Sequence, residues 1–360
     1  MSAAESLPRA LLRAFWEGLT RPRLAAVAGA AAVLTGSVLS VTPSRMVGLD
    51  RGYLMLYEGD TAADATLAVL DYEAAPHPDR ALVLLGSSPF REGLESEAEV
   101  GAALTRRLGT PIAFTGLYLG HATLLEIGAM ADRLPEGLRG TVLIEVGLVR
   151  LTCDLQRRAR STLLEPWQAL DSEFLDREMR ELGVDPGWRT GLHLIDHLPF
   201  YSARHSVFRR WLTGTPLALP PRMQMRDDYP RDVRAIARQI LADEREMAAT
   251  YADRIEPNLQ LLGKIVEMLR DRGLTVALIE STMSPTRRGR LAALLDRYRA
   301  RLAVYCRDLK LPYVDLTAAA GLVQSDFYDA VHIWKTPARK RLQGAFIAGV
   351  GDLLAAGGAR

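Results

Sequence analysis

The chain has 360 residues, 48% of them hydrophobic and 24% charged, an ordinary globular mix that excludes a disordered, collagenous or coiled-coil chain. Its formal net charge of +2 leaves no global basic field, so nucleic acid is not an implied partner. Two cysteines are too few for a disulfide scaffold or a four-cysteine zinc site. The length suits one large domain with an elaboration.

Residues 24–41 (LAAVAGAAAVLTGSVLSV) carry no charge, which is the lower end of what spans a bilayer core. Arg9, Arg13, Arg21 and Arg23 precede this run against only Glu5 and Glu17, so the arginine excess points to a cytoplasmic N-terminus and an exported body. The reading adopted is a single-pass signal anchor, with residues 1–23 cytoplasmic and 42–79 juxtamembrane. A cleaved leader ending near Val38 and Ser40 and a buried core helix are the alternatives. Thr42-Pro43-Ser44 is where a helix over the apolar run would stop.

Downstream, five short apolar runs read as buried strands: Ala81–Leu85, Pro111–Thr115, Thr141–Val146, Thr275–Glu280 and Leu311–Leu316. They lack period-two alternation, which predicts a parallel sheet covered on both faces. Helical patterns lie between them. Leu262, Ile265, Val266 and Leu269 form one stripe, ended by Gly273; Leu291, Leu294, Leu295, Tyr298 and Leu302 form another within 286–309. Strands alternating with helices give an α/β fold with ligands at the carboxyl ends of the strands. The Arg/Asp/Glu-rich interval 155–250, with its Pro-rich bend at 215–221, breaks that rhythm. It is read as a helical insertion lobe dividing an α/β domain made of 80–154 and 251–360.

Two segments carry chemistry. The first strand runs into Gly86-Ser87-Ser88-Pro89, which places a hydroxyl and the first amides of a helix at the sheet's carboxyl edge. Ser88 is either a nucleophile or an N-cap, and Pro89 suits the first helical position. After the fifth strand stands Asp329-Ala330-Val331-His332, a spacing that lets a carboxylate orient the imidazole of its own segment. Such a histidine can take the Ser88 proton as general base. His121 lines a pocket or caps a helix, and Trp334 is a pocket wall or a core residue. His193 and His197, with Asp196 between them, have metal-ligand spacing but no third ligand, so no metal or other cofactor is expected. Cys153 and Cys306 read as free thiols, although an oxidising compartment would allow them to pair.

With these blocks in this order the chain resembles the SGNH (GDSL-type) hydrolase superfamily over roughly residues 80–350. The resemblance implies a three-layer α/β/α, flavodoxin-like fold and a Ser88–His332–Asp329 triad. It implies oxyanion or substrate contacts from Gly116 and Gly120 after the second strand and from Gly147 after the third. The family's Gly-x-Asn asparagine position holds Val149, and Arg150 is either a substitute electrostatic donor or a solvated arginine. Among SGNH proteins the chain is most similar to the membrane-anchored, exported acyl-transfer type, such as the DltD proteins of teichoic-acid D-alanylation and, more distantly, the AlgJ and AlgX proteins of alginate O-acetylation. It departs from the DltD pattern at Pro89, where an acidic residue is usual. That likeness implies a bacterial cytoplasmic-membrane protein with a periplasmic or extracellular catalytic domain. It implies O-acyl transfer to an envelope glycan or lipid hydroxyl, with a membrane-bound O-acyltransferase as partner. A plain exported esterase or lipase and a non-catalytic accessory subunit are the competing readings.

Overall fold

The computed structural model describes residues 21–49, 61–161, 166–187, 190–196, 233–318 and 320–357. In chain order the helices are α1 (Arg21–Ser40), α2 (Pro43–Leu49), α3 (Thr61–Ala74), α4 (Ser88–Gly93), α5 (Glu97–Leu108), α6 (Leu124–Asp132), α7 (Leu148–Leu151), α8 (Leu155–Ser161), α9 (Glu173–Glu181), α10 (His193–Asp196), α11 (Val233–Asp271), α12 (Pro285–Arg290), α13 (Ala292–Asp308) and α14 (Thr336–Gly357). The strands are β1 (Ala81–Gly86), β2 (Ala113–Tyr118), β3 (Gly140–Val146), β4 (Thr275–Glu280) and β5 (Tyr313–Asp315).

The five strands form one parallel sheet in the order β2-β1-β3-β4-β5. β1 is buried along its whole length, as its uninterrupted apolar run requires of a strand covered on both sides. Its alternate residues feed two cores. Val83 and Leu85 join a core with α3, α6, α9, α11 and α13, while Leu82 and Leu84 join a core with α4, α5 and α14. The sheet is thus the middle of three layers. The chain leaves β1 for β2 on one side and returns past β1 to β3 on the other. The strand order therefore reverses between β1 and β3, the place where doubly wound sheets open a crevice at their carboxyl edge.

Several boundaries differ from the sequence expectation. β2 starts at Ala113 and runs through Tyr118, so Gly116 lies inside the strand, opposite Leu84. β5 is only three residues long. The amphipathic stretch after β4 is two helices divided at Leu291, although its apolar stripe is buried as expected. The expected lobe boundary at 250 falls in the middle of α11, a continuous 39-residue helix. The described first part of the insertion packs on the sheet's own core through Leu155, Ala169, Leu170, Phe174, Leu175 and Met179. The Pro-rich bend at 215–221 lies outside the described residues.

α1 coincides with the apolar run, and Val27, Val33, Leu34 and Leu39 are exposed along it. Among the described residues no helix is long and apolar enough to cross a membrane, and the side chains of 21–24 are outside that set. Cys153 and Cys306 are unpaired thiols, and burial pushes each up to about 11.

Candidate active site

β1 ends at Gly86, and the chain turns directly into α4. Ser87 holds the N-cap position in an extended conformation, so Ser88 is the first helical residue and Pro89 the second. Ser87 makes no side-chain cap bond; its hydroxyl goes elsewhere, and Ser88 is not the cap. Proline fits at this start because its missing N–H would have had no partner in the first turn.

The opposing residues come from a tight hairpin near the C-terminus. Phe327 and Ile333 form an antiparallel bridge, and the Tyr328 amide donates to the His332 carbonyl at 3.1 Å. The Ser284 amide, just before α12, donates to the Ala330 carbonyl at 2.9 Å and ties the hairpin to the end of β4. Inside the hairpin, Asp329 Oδ1 accepts from the amides of Val331 and His332, both at 2.8 Å. Its other oxygen, Oδ2, lies 2.6 Å from His332 Nδ1.

His332 Nε2 lies 2.7 Å from Ser88 Oγ. With Nδ1–H donated to Asp329, the Nε2 lone pair faces the serine hydroxyl, which is the tautomer a general base requires. Burial opposes ionisation of Asp329, but the imidazole and two amides outweigh it and hold its carboxyl below the usual value. The Tyr328 ring stacks on the imidazole, with centroids 5.4 Å apart and planes 9° apart, and its hydroxyl donates to Glu92 of α4 at 2.5 Å. The Ser88 helix and the histidine hairpin are therefore joined at two places.

Around the Ser88 turn the other expected residues divide. The amides of Ser88, Gly120 and Gly147 stand in the loops at the carboxyl edge of β1, β2 and β3, and no described residue accepts from them. Gly147 has open space beside it. Gly116 does not join them. Its amide donates to Glu97 Oε1 at 2.9 Å, and a Cβ on it would fall within 2.0 Å of the Tyr118 ring. Its glycine answers to packing, and the strand shift takes it one pleat away from the edge. Arg150 is not solvated. It is buried, with Nε donating to the Ala122 carbonyl at 3.0 Å, Nη1 to the Glu145 carbonyl and Nη2 3.4 Å from Glu145 Oε2. Val149, where the SGNH pattern would have asparagine, is 51% exposed. The Trp334 indole donates to the Ser325 carbonyl at 3.3 Å, its amide bonds Asp326, and Lys335 lies over its ring. These contacts hold it to the 324–326 turn.

His121 is exposed with φ of 57°, and Thr123 caps α6 instead. His193 is buried against Asp171 at 2.6 Å, and His197 lies outside the described residues. Among the described residues no group of three or more His, Cys, Asp and Glu is placed to hold a metal ion. A groove of about 1350 Å³ opens at the amino-terminal edge of the sheet, lined by Arg80, Gly140, Thr275 and Tyr313, on the opposite side from Ser88.

Sequence reasoning missed the carboxylates that support the site. Glu145 on β3 accepts the Ser87 amide at 2.5 Å and the Ser87 hydroxyl at 2.9 Å. The available signal was a charged residue inside the apolar strand TVLIEV; the same signal marks Glu280 at the end of TVALIE. Compared with family models and with curated proteins, the chain matches none.

Proposed function

We propose that the protein is an extracytoplasmic serine acyltransferase or acyl esterase of SGNH type, with Ser88 as nucleophile, His332 as general base and Asp329 as its orienter. The observation that carries this reading is the unbroken relay Asp329 Oδ2–His332 Nδ1 at 2.6 Å and His332 Nε2–Ser88 Oγ at 2.7 Å. It sits at the carboxyl edge next to the strand-order reversal. Ser88 gives its proton to His332 Nε2 as Oγ attacks an acyl carbonyl. Collapse of the tetrahedral adduct sends that proton to the leaving group and leaves an acyl-serine. An acceptor hydroxyl, or water, then gives a proton to His332 as its oxygen attacks the acyl-serine, and collapse of that adduct breaks the bond to Ser88 Oγ, which takes the proton back from His332 Nε2. The amides of Ser88, Gly120 and Gly147 are the donors available to a developing oxyanion.

The apolar run 24–41 supports a membrane anchor holding the domain outside the bacterial cytoplasmic membrane, near an envelope glycan or lipid acceptor and a membrane-bound O-acyltransferase donor. The exposure of Val27, Val33, Leu34 and Leu39 fits such a span. A second reading, a non-catalytic accessory subunit, is favoured by one observation: the asparagine position holds an exposed valine, and Arg150 is turned inward. Fluorophosphonate labelling of the full-length chain in detergent separates the two. Labelling of wild type that is lost in Ser88→Ala and His332→Ala supports the enzyme. A folded wild type that does not label refutes autonomous catalysis and leaves the accessory subunit.

A further inference from the structure

Glu145 is 3% exposed, and its carboxylate accepts from both hydrogen-bond donors of Ser87, the residue immediately before the proposed nucleophile. It reaches them from β3, across the backbone of Gly86. A Cβ at Gly86 would meet Glu145 Oε2 at 3.0 Å, so the glycine makes room for the carboxylate. Arg150 completes the arrangement. It pairs with Glu145 Oε2, bonds the Glu145 carbonyl and, through Nε, holds the Ala122 carbonyl in the loop after β2. One buried ion pair therefore ties together the three loops, after β1, β2 and β3, that carry the amides of Ser88, Gly120 and Gly147.

A buried ion pair is poor evidence for stability, because an apolar pair of similar volume often does as well. A lone carboxylate beside a developing oxyanion would also oppose acyl transfer by Coulomb repulsion. Both objections vanish if the pair has a geometric task and the guanidinium cancels the charge. The family's asparagine, which contributes to the oxyanion site and belongs to the loop after β3, has no counterpart at Val149. We propose that Glu145, neutralised by Arg150, is a positioning residue for the proposed acyl transfer: it fixes the Ser87 peptide so that the Ser88 amide and hydroxyl face the acyl carbonyl. This rests on the reading of Ser88 as nucleophile.

The test uses the full-length chain and the second-order rate of fluorophosphonate labelling from pH 5 to 9. Variants are Glu145→Ala, Glu145→Gln and Arg150→Met. Misplacing one oxyanion donor costs on the order of 100-fold. Glu145→Ala is expected to label about 100-fold more slowly with the pH midpoint of wild type, since the His332–Asp329 pair is untouched. Glu145→Gln, whose carbonyl still accepts the Ser87 amide, should recover to within about tenfold of wild type. Arg150→Met, which leaves the carboxylate uncompensated, should be at least about tenfold slower. Glu145→Ala labelling at the wild-type rate overturns the inference, as does Glu145→Gln labelling as slowly as Glu145→Ala. If Glu145→Ala fails to fold, Glu145→Gln against Arg150→Met decides: a fast glutamine variant with a slow methionine variant supports the role, and the reverse refutes it. An unlabelled wild type refutes the nucleophile reading itself, a result distinct from any difference among the variants.

Discussion

Burial pushes the Glu280 carboxyl at the end of β4 from 4.5 up to about 7; the Tyr313 hydroxyl bonded to it works against that rise, and the Asp315 and Glu145 charges add to it. In the unfolded chain the group ionises near 4.5, whereas in the folded chain it keeps its proton until about 7. Between those values the native state binds the extra proton, so stability falls as pH rises through the window and levels off above it. A carboxyl moved this far is worth roughly 3 kcal/mol, to within about a unit of pH, or half that if water enters around the charge. Glu280→Gln keeps an acceptor for Tyr313 and removes the titration. Urea unfolding from pH 4 to 8 should show wild type losing up to about 3 kcal/mol that the variant retains, whatever constant offset the amide introduces. Parallel curves for the two proteins would refute the assignment of a proton to buried Glu280 near neutral pH.

Asp329→Asn keeps the shape of the hairpin but favours the wrong imidazole tautomer, so labelling of Ser88 should fall by about 10³–10⁴. Tyr328→Phe strips a buried carboxylate, Glu92, of its donor; denaturant titration should show a loss of about 1–3 kcal/mol, largely reversed in Tyr328→Phe/Glu92→Leu. Gly128→Ala sets a Cβ 2.1 Å from the Phe174 ring between α6 and α9. It should cost about 1–3 kcal/mol in the same assay, and Gly128→Ala/Phe174→Leu should restore most of it. Acid should unfold Asp329→Asn less steeply than wild type. The native carboxyl is held low, so its contribution is present above the ordinary carboxylate range and is lost as pH falls through its folded value.

What was legible in the chain follows from the range of the interactions. Strands buried on both faces announce themselves as apolar runs, so β1, β3 and β4 were placed almost to the residue. β2 was placed too early because Pro111 and Ile112 extend the apolar run backwards while Gly116 interrupts it. Asp329 and His332 were readable because they are three apart on one short loop, and Ser88 because a strand ends directly before it. Glu145 and Ser87 are 58 residues apart, and Glu92 and Tyr328 are 236 apart. No local pattern announces such pairs, and only the sheet order brings them together. Arg150 was left between an electrostatic donor and a solvated arginine for the same reason: nothing near it in the chain shows that the Ala122 loop is laid over it.

The hairpin at 327–333 has a consequence for the order of events in a newly made chain. Asp329 and His332 lie within four consecutive residues, but the contact of His332 with Ser88 spans 244 positions. As synthesis proceeds from the N-terminus, β1 and the Ser88 turn emerge early, with a hydroxyl as inert as any exposed serine. The contact with His332 forms only when the hairpin docks, and α14, whose Leu342 and Phe346 close the core beneath Phe90, follows the hairpin in the chain. On the proposed reading of Ser88 as nucleophile, the chain therefore carries its own delay: the serine meets its base only after the strands that position it have been made.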